Sequence, residues 1–304
     1  MPALTTYTKA LTSAQANDLK MVLAHEGWTF ETKPYCLFAA TKGKVNVLVY
    51  EKGPKVVVQG KDTEDFVLNV LEPQVLKQAE LGYEEVNHPE MFAEHIGVDE
   101  SGKGDFFGPL VIAGVWVDTA IVHQLREVGA VDSKKVTSDN KIAELARQIT
   151  AIPGIAYDVI VLQPPKYNEL YSKFKNLNRL LAWGHSTVIE NLLGKRPGCA
   201  RAVSDQFADP AVLERALKSR GRSIELVQRT KAESDPAVAA ASIIARDRFV
   251  NWLKYGGEYY GGELPKGVSS MVKDRARNIA NEHGKDALRA LSKTHFKTFA
   301  EVTS

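Results

Sequence analysis

Four acidic residues follow short apolar runs that are typical of β-strands, at the points where those strands would end. The four, called the acid quartet below, are Asp99, Glu100, Asp205 and Glu233. Carboxylates that gather in one place repel one another unless a cation neutralises them. Hard divalent ions choose oxygen ligands of this kind. The quartet therefore predicts a divalent metal site, although a single acid at a strand end is more often a cap or a turn residue.

A lysine enclosed by two glycines follows the first acidic pair, in the segment 97–105 (GVDESGKGD). Gly102 and Gly104 accept positive φ, so their backbone N–H groups can approach an anion closely, while Lys103 adds a positive charge. Successive side chains of a strand point to opposite faces, so the acidic pair can share one ion only if the chain turns at Ser101 and Gly102. This combination favours a metal beside a phosphate. A β-hairpin turn with solvated acids is the alternative.

The elements that must position these residues alternate between strand and helix after about residue 95. Apolar runs predict strands at 96–99, 111–117, 157–162, 200–204 and 224–227. Helical patterns predict helices at 141–149, 178–193 and 236–253. An α/β sheet keeps its open crevice at the carboxyl ends of its strands, which is where the acid quartet stands. We therefore predict an α/β domain over 95–304.

The segment before this domain has a different pattern. A helix is predicted over 13–28, followed by a β-meander at 35–40, 45–50 and 55–59 and by a second helix that Asp62 or Thr63 caps. Residues 80–94 are acidic and show no sustained period. We predict a small α+β domain over 1–85, a linker over 86–94, and the α/β domain from 95 onward.

The N-terminal domain carries a concentration of positive charge. Between residues 33 and 61 six lysines stand against the single acid Glu51, with aromatic residues among them. Lysines follow a phosphate backbone and exposed aromatic rings offer stacking surfaces, so Lys42, Lys44 and Lys55 are predicted to contact nucleic acid. The alternative is an ordinary small domain with solvated hairpin lysines.

Composition sets broad limits. The chain has 304 residues and a net charge of +2, which excludes a histone-like polycation but not a local basic face. Cys36 and Cys199 are far apart and match no metal-binding spacing, so free thiols in a reducing compartment are expected. No stretch reaches transmembrane length and no signal peptide is recognisable, so we expect a cytoplasmic protein without membrane contact.

Several motifs resemble those of type 2 ribonucleases H. The run 98–110 (VDESGKGDFFGPL) is similar to the first motif of that family, and the shorter segments 132–135 (DSKK), 203–205 (VSD) and 231–246 resemble its other active-site motifs. Lys103 replaces the arginine of the ribonuclease HII form, and Glu233 replaces its aspartate. Both residues resemble the ribonuclease HIII branch, as does the segment 264–267 (LPKG). Ribonucleases HIII also carry an N-terminal domain that resembles half of the TATA-binding protein, which fits residues 1–85.

This resemblance implies a fold and an activity. The fold would be a ribonuclease H-like domain with a mixed sheet flanked by helices, behind a TATA-binding-protein-like substrate-binding domain. The activity would be endonucleolytic cleavage of the RNA strand of an RNA/DNA hybrid, leaving 3′-hydroxyl and 5′-phosphate ends. Two Mg²⁺ ions, or Mn²⁺, would be held by the acid quartet as catalytic and metal-binding residues, with Asp99 shared between them. The partner would be the hybrid duplex, and we expect a monomer.

The resemblance also implies substrate contacts. The backbone from Ser101 to Gly104 would read the ribose 2′-hydroxyl, the group by which a protein distinguishes RNA from DNA. Lys103, Lys134 and Lys135 would hold substrate phosphates. A lysine pair ahead of a helix is also common in solvated loops, which is the alternative for Lys134 and Lys135.

Three other functions compete with this one. Dinucleotide binding is disfavoured because residues 106–117 continue as a strand instead of opening a helix. A non-catalytic hybrid-binding protein is disfavoured because all four acids are present. Incision at single ribonucleotides in duplex DNA is the most similar alternative activity. Lys103 and Glu233 argue against it but do not exclude it. The tail 266–297 is predicted to form mostly solvated helix faces, and His295 is predicted to be structural.

Overall fold

The computed structural model describes residues 4–79, 81, 83–130, 136, 138–217 and 221–304, with residue 222 described by its backbone only. The chain divides into two compact units, 1–90 and 91–304. The linker predicted over 86–94 spans this division and stays a prediction. Each unit has its own buried apolar core, so each is described by itself.

The first unit contains a five-stranded antiparallel sheet. Its strands are β1 (Thr6–Ala10), β2 (Thr29–Glu31), β3 (Cys36–Lys42), β4 (Val45–Tyr50) and β5 (Lys55–Gly60). They lie in the order β1-β5-β4-β3-β2. The predicted meander forms the centre of the sheet, whereas the two edge strands were not predicted because they are short and carry polar or exposed residues.

Helices cover one face of this sheet. Helix α1 (Ser13–His25) begins with a capping box in which Thr12 and Gln15 bond reciprocally, and the chain reverses at Gly27, where φ is +75°. Helix α2 (Thr63–Phe66) continues as a π-helix over Val67–Leu76. Pro73 lies inside that π-helix and does not end it. The short α3 (Glu84–Asn87) follows.

The second unit contains the predicted mixed sheet, and all five predicted strands are present. They are β6 (His95–Ser101), β7 (Leu110–Val117), β8 (Ala156–Leu162), β9 (Arg201–Asp205) and β10 (Glu225–Arg229), in the order β10-β9-β6-β7-β8. Strand β6 is central: it pairs parallel with β9 and antiparallel with β7. Strands β9 and β10 are parallel, while β7 and β8 are antiparallel.

Eight α-helices are described in the second unit, and two of them enclose β6. The helices are α4 (Thr119–Glu127), α5 (Asp139–Thr150), α6 (Pro164–Phe174), α7 (Leu177–Lys195), α8 (Pro210–Ala216), α9 (Pro236–Gly256), α10 (Ser270–Leu291) and α11 (Lys297–Thr303). Helix α9 crosses one face so closely that a Cβ on Gly97 would lie 2.2 Å from the backbone N of Val238. On the other face, a Cβ on Gly114 would lie 2.4 Å from Val188 of α7. None of the helices in the described residues has both the length and the apolar character needed to cross a membrane.

The C-terminal segment departs from the predicted solvated helix faces at Lys293, which is completely buried. Its ammonium lies 5.6 Å from the centre of the Tyr167 ring and 5.9 Å from that of Phe249, so aromatic side chains surround the end of the lysine. His295 stacks on Tyr171 with ring centres 4.1 Å apart. Burial and the charge of Lys293 lower the pKa of His295 to about 4, as suits a neutral, structural imidazole.

Candidate active site

All four members of the acid quartet line one cavity of about 320 Å³ in the second unit. They reach it from three places in the fold: the end of β6, the end of β9, and the turn before α9. The predicted convergence of strand ends is therefore present in the structure. The remaining residues around the cavity are Ser101, Gly102, Lys103, Gly104, Asp105, Ser242 and Arg246.

Asp99 and Glu100 approach the cavity from opposite faces of β6. The sequence predicted a turn at Ser101 and Gly102 to bring them together, but β6 continues through Ser101, which pairs with Val111. Asp99 therefore faces α9 and hydrogen-bonds to Ser242, while Glu100 faces α7. The chain turns only at Gly102, where φ is +85°. The two carboxylates reach one cavity because β6 ends there, not because the chain turns between them.

The two neighbouring carboxyl groups differ in their affinity for a proton. Burial and the charge of Glu100 raise the pKa of Asp99 to about 7. Burial also opposes ionisation of Glu100, but His185 and Lys103 outweigh it and lower the pKa of Glu100 to about 2. Glu100 thus ionises readily, whereas ionisation of Asp99 beside it is unfavourable in free energy. A bound cation would relieve that cost.

His185 holds Glu100 from within the core. Its Nε2 lies 3.0 Å from Oε2 of Glu100, and its Nδ1 lies 3.0 Å from Oγ of Ser204. Because Glu100 is ionised, Nε2 carries the proton and donates it to the carboxylate. His185 was not predicted as a site residue, since a single histidine on an apolar helix usually belongs to the core. No local sequence signal distinguishes it from such a histidine, because its role depends on the packing of α7 against β6.

Replacing His185 with Phe is expected to weaken divalent-metal binding by about 10- to 100-fold, the range typical for the loss of a residue that orients a metal ligand. His185→Gln keeps an N–H donor and should recover part of the affinity. Titration calorimetry with Mn²⁺ in the absence of nucleic acid measures the effect. His123→Phe, at an exposed histidine, is the matched control. Equal Mn²⁺ affinity in the His185→Phe variant and the parent would contradict this role.

Asp205 and Glu233 are brought together by the parallel pair β9 and β10. Asp205 is the last residue of β9 and is paired with Arg229 at the end of β10. One of its carboxylate oxygens, Oδ1, accepts a hydrogen bond from the backbone N of Ala232, at 3.3 Å. Ala232 begins the short 3₁₀ turn Ala232–Ser234 that carries Glu233. Asp205 therefore also fixes the turn that presents its partner.

The segment 102–108 is called the glycine loop below, and its first four residues, 102–105, line the cavity. Gly102 needs to be glycine: beyond its positive φ, a Cβ there would lie 2.3 Å from the carbonyl oxygen of Pro109. Gly104 differs, because it is not among the residues with positive φ and a Cβ there would meet no protein atom within 4 Å. Only one of the two glycines is thus required by the fold itself. The space beside Gly104 is open.

Basic side chains form ion pairs with Glu100 of the acid quartet and with Asp139 at the start of α5. The Nζ of Lys103 lies 2.6 Å from Oε1 of Glu100; although burial alone would lower the pKa of Lys103, Glu100 and the other nearby acids raise it. Asp139 holds Lys266 at 2.6 Å and Arg246 at 3.5 Å. Arg246 and Ser242 were not predicted as site residues, but their i, i+4 spacing on α9 is a signal that could have found them.

The other predicted contact residues have different positions. Lys134 and Lys135 lie outside the described residues. In the first unit, Lys42 donates its Nζ to the carbonyl of Glu26 at the end of α1, at 2.8 Å, and Lys44 is exposed in the turn between β3 and β4. Lys55 lies on the sheet face away from the helices, with its Nζ 5.7 Å from the centre of the Tyr50 ring.

The carboxylate oxygens of the acid quartet are the type of ligand that divalent cations such as Mg²⁺ prefer. Within the part of the chain that the structure describes, no group of three or more His, Cys, Asp or Glu side chains is already arranged to hold a metal ion. The quartet nevertheless offers only carboxylate oxygens, and burial together with the charge of Glu100 raises the pKa of Asp99, a cost that a bound cation would relieve. Lys103 offsets part of that charge.

Comparison with known proteins gives a consistent result. The family model described as ribonuclease HII matches residues 96–299. The chain is 44% identical over 300 residues to a ribonuclease HIII from Chlamydia pneumoniae, covering 98% of both chains. It is 40% identical over 302 residues to a ribonuclease HIII from Protochlamydia amoebophila, covering 99% of this chain and 98% of the relative.

Solved structures agree over nearly the whole length. The crystal structure of Bst-RNase HIII in complex with Mn²⁺ has a TM-score of 0.67 and 26% identity, covering 98% of this chain and 97% of that one. The crystal structure of Aquifex aeolicus RNase H3 has a TM-score of 0.55 and 26% identity, covering 96% of this chain and all of that one.

Proposed function

This chain belongs to the ribonuclease HII family, with the ribonucleases HIII as its full-length relatives, and we propose that its acid quartet is the catalytic centre of an endoribonuclease. The enzyme hydrolyses the RNA strand of RNA/DNA hybrids. The observation that supports the site is the meeting of four carboxylates from separate elements in one cavity, beside a glycine loop that carries a lysine. We infer that the products end in 3′-hydroxyl and 5′-phosphate groups.

We infer that the acid quartet would hold two divalent ions, Mg²⁺ or Mn²⁺, with Asp99 at the end of the central strand β6 among their ligands. A divalent cation, when bound, supplies the Lewis acidity that in-line phosphodiester hydrolysis requires. His185 keeps Glu100 ionised and oriented. Ser242 holds the carboxyl group of Asp99, and Asp205 fixes the turn of Glu233. These contacts hold the carboxylates in place before substrate arrives.

The glycine loop supplies the substrate contacts in this proposal. Open space beside Gly104 allows a ribose to approach the backbone from Ser101 to Gly104, where the 2′-hydroxyl can exchange hydrogen bonds with main-chain groups. Lys103 is half exposed and lies at the acids, so its ammonium can hold the scissile phosphate beside them. Lys134 and Lys135 stay predicted phosphate contacts.

The proposal is tested with an end-labelled RNA/DNA hybrid and with a DNA duplex that contains one ribonucleotide, each with and without EDTA. We expect cleavage at several positions of the RNA strand, complete loss of cleavage in EDTA, and recovery with excess Mg²⁺ or Mn²⁺. Binding of the hybrid without any cleavage would point to a non-catalytic protein. Cleavage of the single-ribonucleotide duplex alone would point to ribonuclease HII-like incision.

We propose that the first unit binds the hybrid through the sheet face opposite its helices. In β5 the buried Val56 and Val58 face the helical side, so Lys55, Val57 and Gln59 point the other way. Lys55 and Tyr50 together offer a charge for the phosphate backbone and a ring for sugars or bases on that face. Lys42, by contrast, is already bonded to the end of α1.

Lys55→Gln is expected to weaken hybrid binding and to lower the slope of log affinity against log salt by roughly 0.7 to 0.9, the contribution of about one phosphate contact. Lys42→Gln removes the same charge at a side chain engaged by the protein, so its salt slope should stay near that of the parent. Fluorescence anisotropy over a range of roughly 50 to 200 mM salt measures both slopes. An unchanged slope in the Lys55→Gln variant would remove this residue from the interface.

The monomeric state and the cytoplasmic location stay predictions.

A further inference from the structure

Lys293 is a fully buried lysine that the proposed chemistry does not use. A buried ammonium is unfavourable unless hydrogen bonds or charges compensate it. All three hydrogen bonds described for its Nζ go to main-chain carbonyl oxygens: Asp105 at 2.9 Å, Phe107 at 3.3 Å and Gly108 at 2.7 Å. Those three residues belong to the glycine loop, of which residues 102–105 line the catalytic cavity.

The number of acceptors matches one chemical form of the side chain. A lysine ammonium has three N–H donors and no acceptor, so it can satisfy three carbonyl oxygens at once. A neutral amine would leave one of them without a donor, so the three carbonyl groups favour the charged form against the burial that lowers the pKa of Lys293 to about 7. An apolar side chain of the same length would leave all three carbonyl oxygens without a donor, and each buried oxygen without a donor destabilises the folded protein. Lys293 is therefore matched to the main chain of this loop.

The backbone on either side of Lys293 also holds the loop. The N–H of Lys293 donates to the carbonyl of Phe106 at 2.9 Å, and the N–H of Gly108 donates to the carbonyl of Leu291 at 2.9 Å. Phe107 and Ser292 form an antiparallel bridge. The stretch from Leu291 to Lys293 thus fixes one end of the loop as a short strand would.

A second segment holds the loop from another direction. The N–H of Gly267 donates to Oδ1 of Asp105 at 2.6 Å, and the N–H of Phe106 donates to the carbonyl of Gly267 at 3.1 Å. The other end of the loop is fixed by β6 and by the tight turn at Gly102. The part between these supports, around Lys103 and Gly104, is the part that faces the cavity.

We propose that Lys293 is a positioning residue for substrate selection: through its three carbonyl contacts it sets the path of the glycine loop and thereby the fit of the Gly102–Gly104 backbone to a ribose. This inference rests on the proposed function. Lys293 touches neither the acid quartet nor the cavity. Its loss should therefore affect the distinction between RNA and DNA while leaving metal binding intact.

The test compares Lys293→Met with the parent and with Lys297→Met, a matched change at an exposed lysine four residues away. Affinities for an RNA/DNA hybrid and for a DNA duplex of the same sequence are measured by fluorescence anisotropy in EDTA. Steady-state cleavage of the hybrid and calorimetric Mn²⁺ binding are measured on the same preparations. Lys293→Arg is the second variant, since it keeps the charge in a planar group that does not match three converging carbonyls.

We expect the preference for hybrid over DNA to fall about tenfold in Lys293→Met, and kcat/KM for the hybrid to fall about 100-fold, as a displacement of about 1 Å can cause. Lys293→Arg should show a smaller loss of preference, and Lys297→Met none. Mn²⁺ affinity should be unchanged throughout. A merely structural role would lower the active fraction and leave the hybrid-over-DNA ratio as it is in the parent.

Three results would overturn the inference. The first is a folded Lys293→Met variant that keeps the parent's preference for hybrid. The second is the failure of both Lys293 variants to fold, which would make the lysine a requirement of the fold and not of selection. The third is a parent protein that binds the hybrid but does not cleave it when metal is added. That result would contradict the proposed function as well. Cleavage by the parent therefore distinguishes a failure of this inference alone from a failure of the proposed function.

Discussion

Asp99→Asn lowers the rate of hybrid cleavage by more than about 100-fold, because the loss of a residue that only orients a metal ligand already weakens metal sites by about 10- to 100-fold. Asparagine has nearly the shape of aspartate and can still hydrogen-bond to Ser242, so the change removes charge with little change in packing. The lysines are untouched. Hybrid binding in EDTA should therefore stay within about twofold of the parent, a difference of less than about 0.5 kcal/mol.

Single-turnover cleavage and anisotropy binding measure the two effects separately. Asp286→Asn, at a side chain that is 94% exposed and far along α10, is the matched control for the loss of one carboxylate. Appreciable turnover by the Asp99→Asn variant in metal-supplemented buffer would remove Asp99 from the catalytic centre. Equal loss of binding and cleavage would instead assign Asp99 to substrate affinity.

Gly104→Val lowers kcat/KM for the hybrid by about 100-fold, because the added side chain occupies the space into which a ribose must come. This position is a sharper probe than Gly102. A Cβ on Gly102 would collide with the carbonyl of Pro109, so a substitution there disturbs the fold before any substrate binds. A Cβ on Gly104 meets no protein atom within 4 Å, and its φ is not positive. A loss of activity at Gly104 therefore reports on the substrate.

Lys103→Ala is the comparison for the Gly104→Val variant. The lysine contributes a charge on a flexible side chain, so its loss should raise KM and reduce kcat less than Gly104→Val does. Circular dichroism and thermal melting should match the parent in both variants. Should Gly104→Val cleave hybrids at the parental rate, the 2′-hydroxyl must be read by another part of the protein.

The sequence predicted those parts of the site that follow from local pattern. Apolar runs located the five strands of the second unit, and the acids placed after them do meet in one cavity. The turn predicted at Ser101 and Gly102 is present at Gly102 but not at Ser101, because pairing of β6 with β7 extends through Ser101, a non-local contact that local residue types do not encode. The acidic pair reaches the cavity from the two faces of β6 instead.

Residues that act through buried contacts were beyond local pattern. His185 and Lys293 look like a core histidine and a tail lysine in the sequence, and only the packing of distant segments shows what they contact. The edge strands β1 and β2 were missed because a sheet edge needs few apolar residues, so a three-residue strand such as Thr29–Glu31 has no periodic signal.

The order of elements along the chain has a consequence for biosynthesis. The carboxylates extend from Asp99 to Glu233, α9 must cover β6 to hold Asp99, and the segment that clamps the glycine loop comes last, at Leu291–Lys293. The ribosome synthesises a chain from the N-terminus onward at about 5–20 residues per second. For several seconds the chain carries the first unit and the whole acid quartet without the parts that arrange them. We expect nuclease activity to arise only after Lys293 has been synthesised and has folded onto the loop, so that ribosome-bound fragments that end before it can bind nucleic acid before they are able to cut it.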